Sequence, residues 1–136
     1  VVLYDQHHRV LLLQRKDDPT FWQSVTGALE EGELPAETAR REVAEEIGID
    51  ANIHGFVLNN HNKQNKYEIR NRWRHRYPPG TVFNTEHVFS LQIDSALPLV
   101  LTEHLQYEWV SKEDALARLW SPSNKEAVSL FVPSVP

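Results

Sequence analysis

The chain of 136 residues contains no cysteine. This absence excludes a disulfide framework, a thiolate metal site and a cysteine nucleophile. Long apolar runs are also missing, because the longest are residues 10–13 and 97–101, and Pro98 interrupts the second. Neither run approaches the about 20 residues that a membrane-spanning helix needs. The sequence therefore excludes a membrane protein of the helical type.

An excess of basic charge is absent as well. There are 14 basic and 19 acidic residues, a net charge of −5, which argues against a general nucleic-acid-binding protein. Apolar residues at 40% and charged residues at 24% are typical of a globular domain. We expect one cytoplasmic, monomeric domain over residues 1–136. No signal-like stretch opens the chain, and since it starts at Val1 rather than Met, we expect part of the native N-terminus to be missing.

The pattern of apolar residues predicts an α+β domain. Ala36, Ala39, Val43 and Ile47 recur on one face, Pro at position 35 suits a first helical turn, and Gly at 48 suits a helix end, so a helix is predicted over 36–47. Further helices are expected after the capping serines Ser111 and Ser121. Strands are predicted over residues 1–4, 9–15, 23–26, 53–58, 67–77, 82–93 and 107–110.

The predicted helix concentrates negative charge on one side. At about 100° per residue, Glu42, Glu45 and Glu46 share one face beside the apolar stripe. Carboxylates so close repel each other and are either solvated or neutralised by cations. Hard divalent ions such as Mg²⁺ take oxygen ligands and bridge carboxylates to phosphate oxygens. Arg41 can orient Glu45 one turn away, and Glu33 can add a ligand or an orienting group.

The whole segment 27–49, GALEEGELPAETARREVAEEIGI, resembles the Nudix box, G-x5-E-x7-R-E-U-x-E-E-x-G-U with U aliphatic. The matching positions are Gly27, Glu33, Arg41, Glu42, Val43, Glu45, Glu46, Gly48 and Ile49. This resemblance implies the Nudix fold, a mixed β-sheet sandwiched between α-helices. It also implies a Mg²⁺-dependent hydrolase of nucleoside-diphosphate-linked substrates, with the three carboxylates of the helix facing the metal and with Arg41 and Glu33 supporting them.

Five further stretches flank this box: QRKDDPTFWQSVTG at 14–27, RHRYPPG at 74–80, NTE at 84–86, TEHLQYEWV at 102–110 and SN at 123–124. With the box, they make the sequence similar to the bacterial dihydroneopterin triphosphate pyrophosphatases of folate biosynthesis. This resemblance implies hydrolysis of 7,8-dihydroneopterin triphosphate to the monophosphate and pyrophosphate.

This closer resemblance implies further site residues. Glu103 would complete the metal set with Glu42 and Glu46, or act as the base. The implied substrate contacts are Arg15, Thr26, Tyr67, Glu68, Ile69, Arg70 and Ser121. Four of these residues have a structural alternative: an exposed loop carboxylate for Glu103, an exposed strand-end charge for Arg15, a structural hydroxyl for Thr26 and a helix cap for Ser121.

Strict alternation marks residues 67–77, YEIRNRWRHRY. As a strand, this segment would place Arg70, Arg72, Arg74 and Arg76 on one face and its aromatic residues on the other. Such a face could attract a triphosphate or single-stranded nucleic acid, but we favour a solvated arginine face. A charged Arg70 departs from the pattern of the family at this position.

These features predict metal-assisted phosphoanhydride hydrolysis. Mg²⁺ held by Glu42, Glu46 and Glu103 would neutralise the phosphate oxygens, and Glu45 or Glu103 would accept the proton of the attacking water. Two alternatives remain. One is a Nudix hydrolase of another nucleotide, such as a sanitiser of damaged dNTPs, and the other is a non-catalytic module that binds nucleotide or RNA.

Overall fold

The computed structural model describes residues 1–26, 30 and 32–134, and for Trp73 and Arg76 it describes the backbone alone. Gly27 of the motif therefore lies outside the described residues. The elements in the described part are β1 (Val2–Tyr4), β2 (Val10–Arg15), β3 (Trp22–Gln23), α1 (Pro35–Ile47), β4 (Leu58–Glu68), a 3₁₀ helix (Asn71–Arg76), β5 (Phe83–Gln92), β6 (His104–Val110), α2 (Lys112–Arg118) and α3 (Pro122–Phe131). No helix in this part has the length and apolar character needed to cross a bilayer.

The strands form one mixed sheet in the order β3-β2-β1-β5-β4, with β6 also paired to β2. The pairing of β1 with β5 is parallel, and the other pairings are antiparallel. Val10 pairs with both Tyr4 and Val110, so β6 and β1 lie on opposite edges of β2. Strand β2 is consequently central, as its almost unbroken apolar sequence requires.

Each face of the sheet carries its own apolar core. Successive side chains of a strand point to opposite faces, so Leu11 and Leu13 of β2 pack in one cluster with α1, whereas Val10 and Leu12 pack in a second cluster with α2 and α3. Helices therefore cover both faces. The predicted α+β class, with a mixed sheet sandwiched between helices, is confirmed.

Helix α1 agrees with its prediction to within one residue. It starts at Pro35 and ends where Gly48 adopts a left-handed conformation with φ of 74°, and the Gly48 N–H donates to the carbonyl of Ala44. Val43 and Ile47 are fully buried. Burial of this apolar stripe thus fixes the direction in which the carboxylates of α1 point.

The strand predicted over 53–58 is wrong. Residues 51–55 form turns, and β4 begins only at Leu58. The Asp50 carboxylate accepts hydrogen bonds from the backbone N–H groups of Asn52 and Ile53, and Gly55 has a φ of 71°. An aspartate that bonds its own following backbone and a left-handed glycine are turn features, and they outweigh the strand propensity of the apolar side chains.

The single strand predicted over 67–77 is also wrong. Strand β4 ends at Glu68 and Asn71–Arg76 form a 3₁₀ helix, so the arginines do not share one strand face. The chain reverses here to pair β4 with β5, and the Ile69 N–H closes the hairpin on the Val82 carbonyl at 2.7 Å. The reversal needs a compact loop, which side-chain alternation does not reveal. Strand β3 is likewise displaced from the predicted 23–26.

Candidate functional site

A cleft of about 1140 Å³ brings the predicted residues together. One part of its wall is the carboxylate face of α1, and another is the start of α3 with the preceding Trp120. The predicted residues that line it are Arg15, Thr26, Glu42, Glu45, Glu46, Tyr67, Glu68, Ile69, Arg70, Glu103 and Ser121. The cleft has room for a ligand of nucleotide size.

Arg41 connects the helix to the loop before it. Its guanidinium forms two hydrogen bonds to the Glu33 carboxylate, at 2.7 and 3.0 Å, and bonds Glu42 at 2.7 Å and Glu45 at 3.2 Å. Glu33 also accepts from the Thr38 hydroxyl at 2.6 Å. These donors, Arg41 first, lower the pKa of Glu33 to about 2. Glu33 therefore orients Arg41, and Arg41 in turn orients Glu42 and Glu45 in the cleft.

Glu46 is a buried carboxylate in this group, with 1% of its surface exposed. Burial raises its pKa, and the neighbouring Glu42 raises it further. The pKa of Glu42 is raised too, again mainly by burial. Glu46 Oε2 has no hydrogen-bond partner among the described residues. Two crowded carboxylates and an unpartnered oxygen form a donor set that suits a hard divalent cation.

Glu103 lines the same cleft on the segment that follows Leu101. The adjacent Thr102 hydroxyl donates to the Glu45 carbonyl at 2.7 Å, which ties this segment to α1. Within residues 1–26, 30 and 32–134, no three or more His, Asp or Glu side chains are grouped so that they could hold a metal ion. The metal set Glu42, Glu46 and Glu103 therefore stays a prediction.

Arg15 is buried, so the alternative of an exposed strand-end charge is wrong. It bonds both oxygens of Asp17 at 2.7 Å and the Gln23 side-chain carbonyl at 2.8 Å. The Gln23 amide nitrogen lies 3.1 Å from Nε2 of His104, which lies 3.8 Å from Oε1 of Glu46. Burial, and then Arg15, lower the pKa of His104 to about 4. Sequence reasoning gave Gln23 and His104 no role, and no motif spacing marks them.

Ser121 has the structural role that was its alternative. It caps α3 by accepting from the Asn124 N–H at 3.4 Å, and it also lines the cleft. Asn124 fixes the position of this helix start, since its side chain accepts from the Ser24 N–H at 3.0 Å and donates to the Ser24 hydroxyl at 2.9 Å. Thr26 is exposed beside it on the cleft wall.

An aromatic pair with arginines lies at the Trp120 side of the cleft. The rings of Phe21 and Trp120 stack with centroids 5.2 Å apart. The Arg70 guanidinium is 4.9 Å from the Trp120 ring, and that of Arg72 is 4.9 Å from the Phe21 ring. The unusual Arg70 thus packs on an aromatic surface. Trp120 falls outside every quoted motif, and sequence reasoning missed it.

Two further predicted contacts lie at the end of β4. The Tyr67 hydroxyl accepts from the Asn84 side chain at 3.0 Å, and burial raises the pKa of this phenol to about 12. Glu68 forms an ion pair with Arg74 at 2.9 Å. Tyr67 therefore contributes a neutral hydroxyl to the lining of the cleft.

Comparison with known proteins gives consistent matches over nearly the whole chain. A family model for the NUDIX domain matches residues 1–131. The chain is 46% identical over 133 residues to the dihydroneopterin triphosphate diphosphatase of Escherichia coli K12, covering 97% of this chain and 89% of that protein. It is 39% identical over 133 residues to the Haemophilus influenzae protein of the same name, covering 97% and 84%.

Solved structures extend this likeness to the fold. The structure of the E. coli dihydroneopterin triphosphate pyrophosphohydrolase matches with a TM-score of 0.91 at 45% identity, covering 96% of this chain and 90% of that one. An Ap4A hydrolase of Caenorhabditis elegans matches with a TM-score of 0.74 over 96% of this chain and 90% of that one. Its identity is only 19%, so it is similar in fold alone.

Proposed function

The chain belongs to the NUDIX family, as its sequence predicts, and we propose that it is a Mg²⁺-dependent pyrophosphohydrolase. Its substrate is 7,8-dihydroneopterin triphosphate, and its products are the monophosphate and pyrophosphate, a step of folate biosynthesis. The observation that carries the proposal is the cleft, which joins the carboxylate face of α1 to the predicted substrate residues. The activity named for the E. coli and H. influenzae relatives supports the choice of substrate.

Glu42, Glu46 and Glu103 are the residues that would hold Mg²⁺. When bound, the ion supplies neutralisation of phosphate charge and acidification of water. The unpartnered Oε2 of Glu46 and the raised pKa of Glu42 support this assignment. Arg41 keeps Glu42 and Glu45 on the cleft side through its bonds at 2.7 and 3.2 Å. Glu45 or Glu103 takes the proton from the water that attacks phosphorus.

The remaining residues bind the substrate. Arg15 lines the cleft and would donate to phosphate oxygens, since guanidinium donors match phosphate geometry. Thr26 and Ser121 offer hydroxyls, and Tyr67, Glu68, Ile69 and Arg70 form the wall opposite. The flat pterin ring is assigned to the Trp120 side, where the Trp120 ring and the Arg70 guanidinium give the cleft wall flat surfaces.

The RNA-binding alternative loses its main support. It required an arginine face on one strand, whereas Arg72 pairs with Asp18 at 2.8 Å and Arg74 pairs with Glu68 at 2.9 Å. Together with the net charge of −5, these ion pairs favour a small-molecule substrate. Our proposal therefore includes a single-domain, monomeric, cytoplasmic enzyme with no nucleic-acid or membrane partner. Sedimentation velocity tests the monomer.

The first experiment measures pyrophosphate release from dihydroneopterin triphosphate beside dATP and 8-oxo-dGTP, with Mg²⁺ and with EDTA. Glu46→Gln is compared with Glu113→Gln, a matched change at an exposed carboxylate of α2. We expect preferred turnover of the pterin, lost in EDTA and reduced more than 100-fold in Glu46→Gln, because even outer partners of a metal site are worth 10–100-fold. Glu113→Gln should match the unmodified chain.

The other outcomes decide between the alternatives. Turnover of the nucleotides alone would assign the cleft to another Nudix substrate. No turnover by folded protein that still binds Mg²⁺ would favour the non-catalytic binding module.

A further inference from the structure

Four buried polar side chains run in a line from β2 to α1. The exposed fractions are 9% for Arg15, 6% for Gln23, 7% for His104 and 1% for Glu46. Arg15 Nη1 lies 2.8 Å from Gln23 Oε1, Gln23 Nε2 lies 3.1 Å from His104 Nε2, and His104 Nε2 lies 3.8 Å from Glu46 Oε1. The line links a proposed phosphate-binding residue to a proposed metal ligand.

The donors and acceptors along this line can be assigned in only one way. A guanidinium has donors only, so the Gln23 carbonyl must face Arg15 and the Gln23 amide N–H must face His104. His104 Nε2 must then accept, because a proton there would oppose the amide proton. The single proton of the neutral ring is therefore on Nδ1, and an imidazolium does not fit this arrangement.

This tautomer is imposed on His104 rather than chosen by the ring. His104 Nδ1 is buried and has no hydrogen-bond partner among the described residues. A buried N–H without an acceptor costs free energy. The other tautomer would place the proton on Nε2, facing the Glu46 carboxylate 3.8 Å away, a short movement from a hydrogen bond. Gln23 holds the ring in the tautomer that cannot donate a hydrogen bond from Nε2 to Glu46.

We propose that Gln23 and His104 are positioning residues that prevent the imidazole from donating a hydrogen bond to the Glu46 carboxylate, so that Oε1 remains available to a divalent cation. This inference rests on the proposed function for the metal assignment alone and is independent of which triphosphate is hydrolysed. Arg15 sets the direction of the Gln23 amide, and the amide sets the tautomer of His104.

The tautomer can be observed directly by ¹⁵N NMR of the imidazole nitrogens in the full chain, in EDTA and without substrate. The His104 signal is identified among the seven histidines by its loss in His104→Phe. We expect a protonated Nδ1 and a bare Nε2. In Gln23→Met, and in the isosteric Gln23→Glu, whose carboxylate only accepts, the proton should move to Nε2. An Nε2 proton in the unmodified chain, or an unchanged tautomer in both variants, would overturn the proposal.

The consequence for Glu46 is measured as the Kd of Mn²⁺ by EPR, again without substrate. Gln23→Met should weaken binding, because the imidazole can then donate to Glu46, by about the 10–100-fold that changes to residues behind the ligands cause at metal sites. Adding His104→Phe to Gln23→Met removes the competing donor and should restore most of the affinity. Gln14→Met is the matched control, because this glutamine of the neighbouring strand β2 donates its side-chain amide to the Pro19 carbonyl at the surface.

A merely structural role for the pair predicts the opposite pattern. In that case the double variant would bind Mn²⁺ more weakly than Gln23→Met, and the inference is wrong. Absence of Mn²⁺ binding by the unmodified chain would also overturn it. Failure of the proposed substrate leaves both measurements unaffected, so the two proposals can fail separately.

Discussion

Glu33 does not line the cleft, but it fixes the orientation of side chains that do. Its two oxygens take the two-pronged bond from Arg41 and the bond from the Thr38 hydroxyl. Arg41 is then held in the direction that reaches Glu42 and Glu45. The negative charge of Glu33 is thus needed to hold the Arg41 guanidinium in position against Glu42 and Glu45.

This arrangement predicts a defined dependence of stability on pH. The pKa of Glu33 is lowered from 4.5 to about 2, first by the Arg41 hydrogen bonds. Because the unfolded state then binds more protons than the folded state between these values, the contribution of Glu33 is complete above pH 4.5 and is lost as the pH falls toward 2. In Glu33→Gln, the drop in the urea midpoint between pH 5 and pH 3 should be smaller than in the unmodified chain.

The matched control is Glu37→Gln, an acidic residue in the first turn of α1. Its urea midpoint should fall with pH as that of the unmodified chain does. An equal fall in Glu33→Gln would mean that Glu33 is no more strongly bound in the folded state than an ordinary carboxylate.

At the scale of the element, the end of α1 is joined to the segment that carries Glu103. The Val100 N–H donates to the Ile47 carbonyl at 2.9 Å, and Thr102 bonds the Glu45 carbonyl. Gly48 directly follows Ile47 and has a φ of 74°, and a Cβ built on it would lie 3.1 Å from the Val100 Cβ. The position therefore requires glycine for its backbone and for the close approach of Val100.

Gly48→Ala should be more damaging than the same change at Gly55, which has φ of 71° and open space around its missing side chain. Gly55→Ala should cost roughly 1–2 kcal/mol of unfolding free energy, the usual cost of a left-handed L-residue. Gly48→Ala should cost more, because Val100 must move. It should also lower kcat by displacing Glu103, whereas Gly55→Ala should leave kcat unchanged. Urea unfolding and turnover at saturating Mg²⁺ measure both, and equal effects of the two variants would refute the role of Val100.

The elements also show what the sequence could and could not predict. Helix α1 was predictable because its apolar period, its first-turn proline and its C-terminal glycine all act locally. The end of β4 was not predictable. The alternating side chains of residues 67–77 suit a strand throughout, and they do not reveal the 3₁₀ loop that the β4–β5 hairpin requires. Local pattern fixes an element only when no longer-range pairing competes with it.

The same distinction holds for the site. Glu42, Glu45 and Glu46 are brought together by helical spacing, so their common face could be predicted. Gln23 and His104 are 81 residues apart and meet only because β2, β3 and β6 pair. Trp120 reaches the cleft through the same tertiary packing. Contacts of this kind have no signal in the spacing of a single sequence.

In the folded molecule, the carboxylates of α1 conflict with one another because they are crowded and of like charge, and a bound cation would resolve this conflict. Burial raises the pKa of Glu42 and of Glu46, so the metal-free fold disfavours the charged form of both carboxylates, and a bound cation would favour it. Conflicts of this type are expected at functional sites. A ligand that binds only the folded state stabilises the protein by RT ln(1 + L/Kd), where L is the free ligand concentration.

Mg²⁺ should therefore raise the unfolding temperature of the EDTA-treated chain in the absence of any substrate. At about 100 times its Kd, the ion should add about 2.7 kcal/mol, which corresponds to roughly 10 °C for a domain of this size. Glu46→Gln should lose most of this shift, and Glu113→Gln should keep it. Because the chain has a net charge of −5, general screening by cations must be separated from binding at the site, so KCl at equal ionic strength is the control. An equal rise in KCl would mean that the carboxylate face is only screened, and the metal assignment would fail even if the chain turned out to bind the pterin.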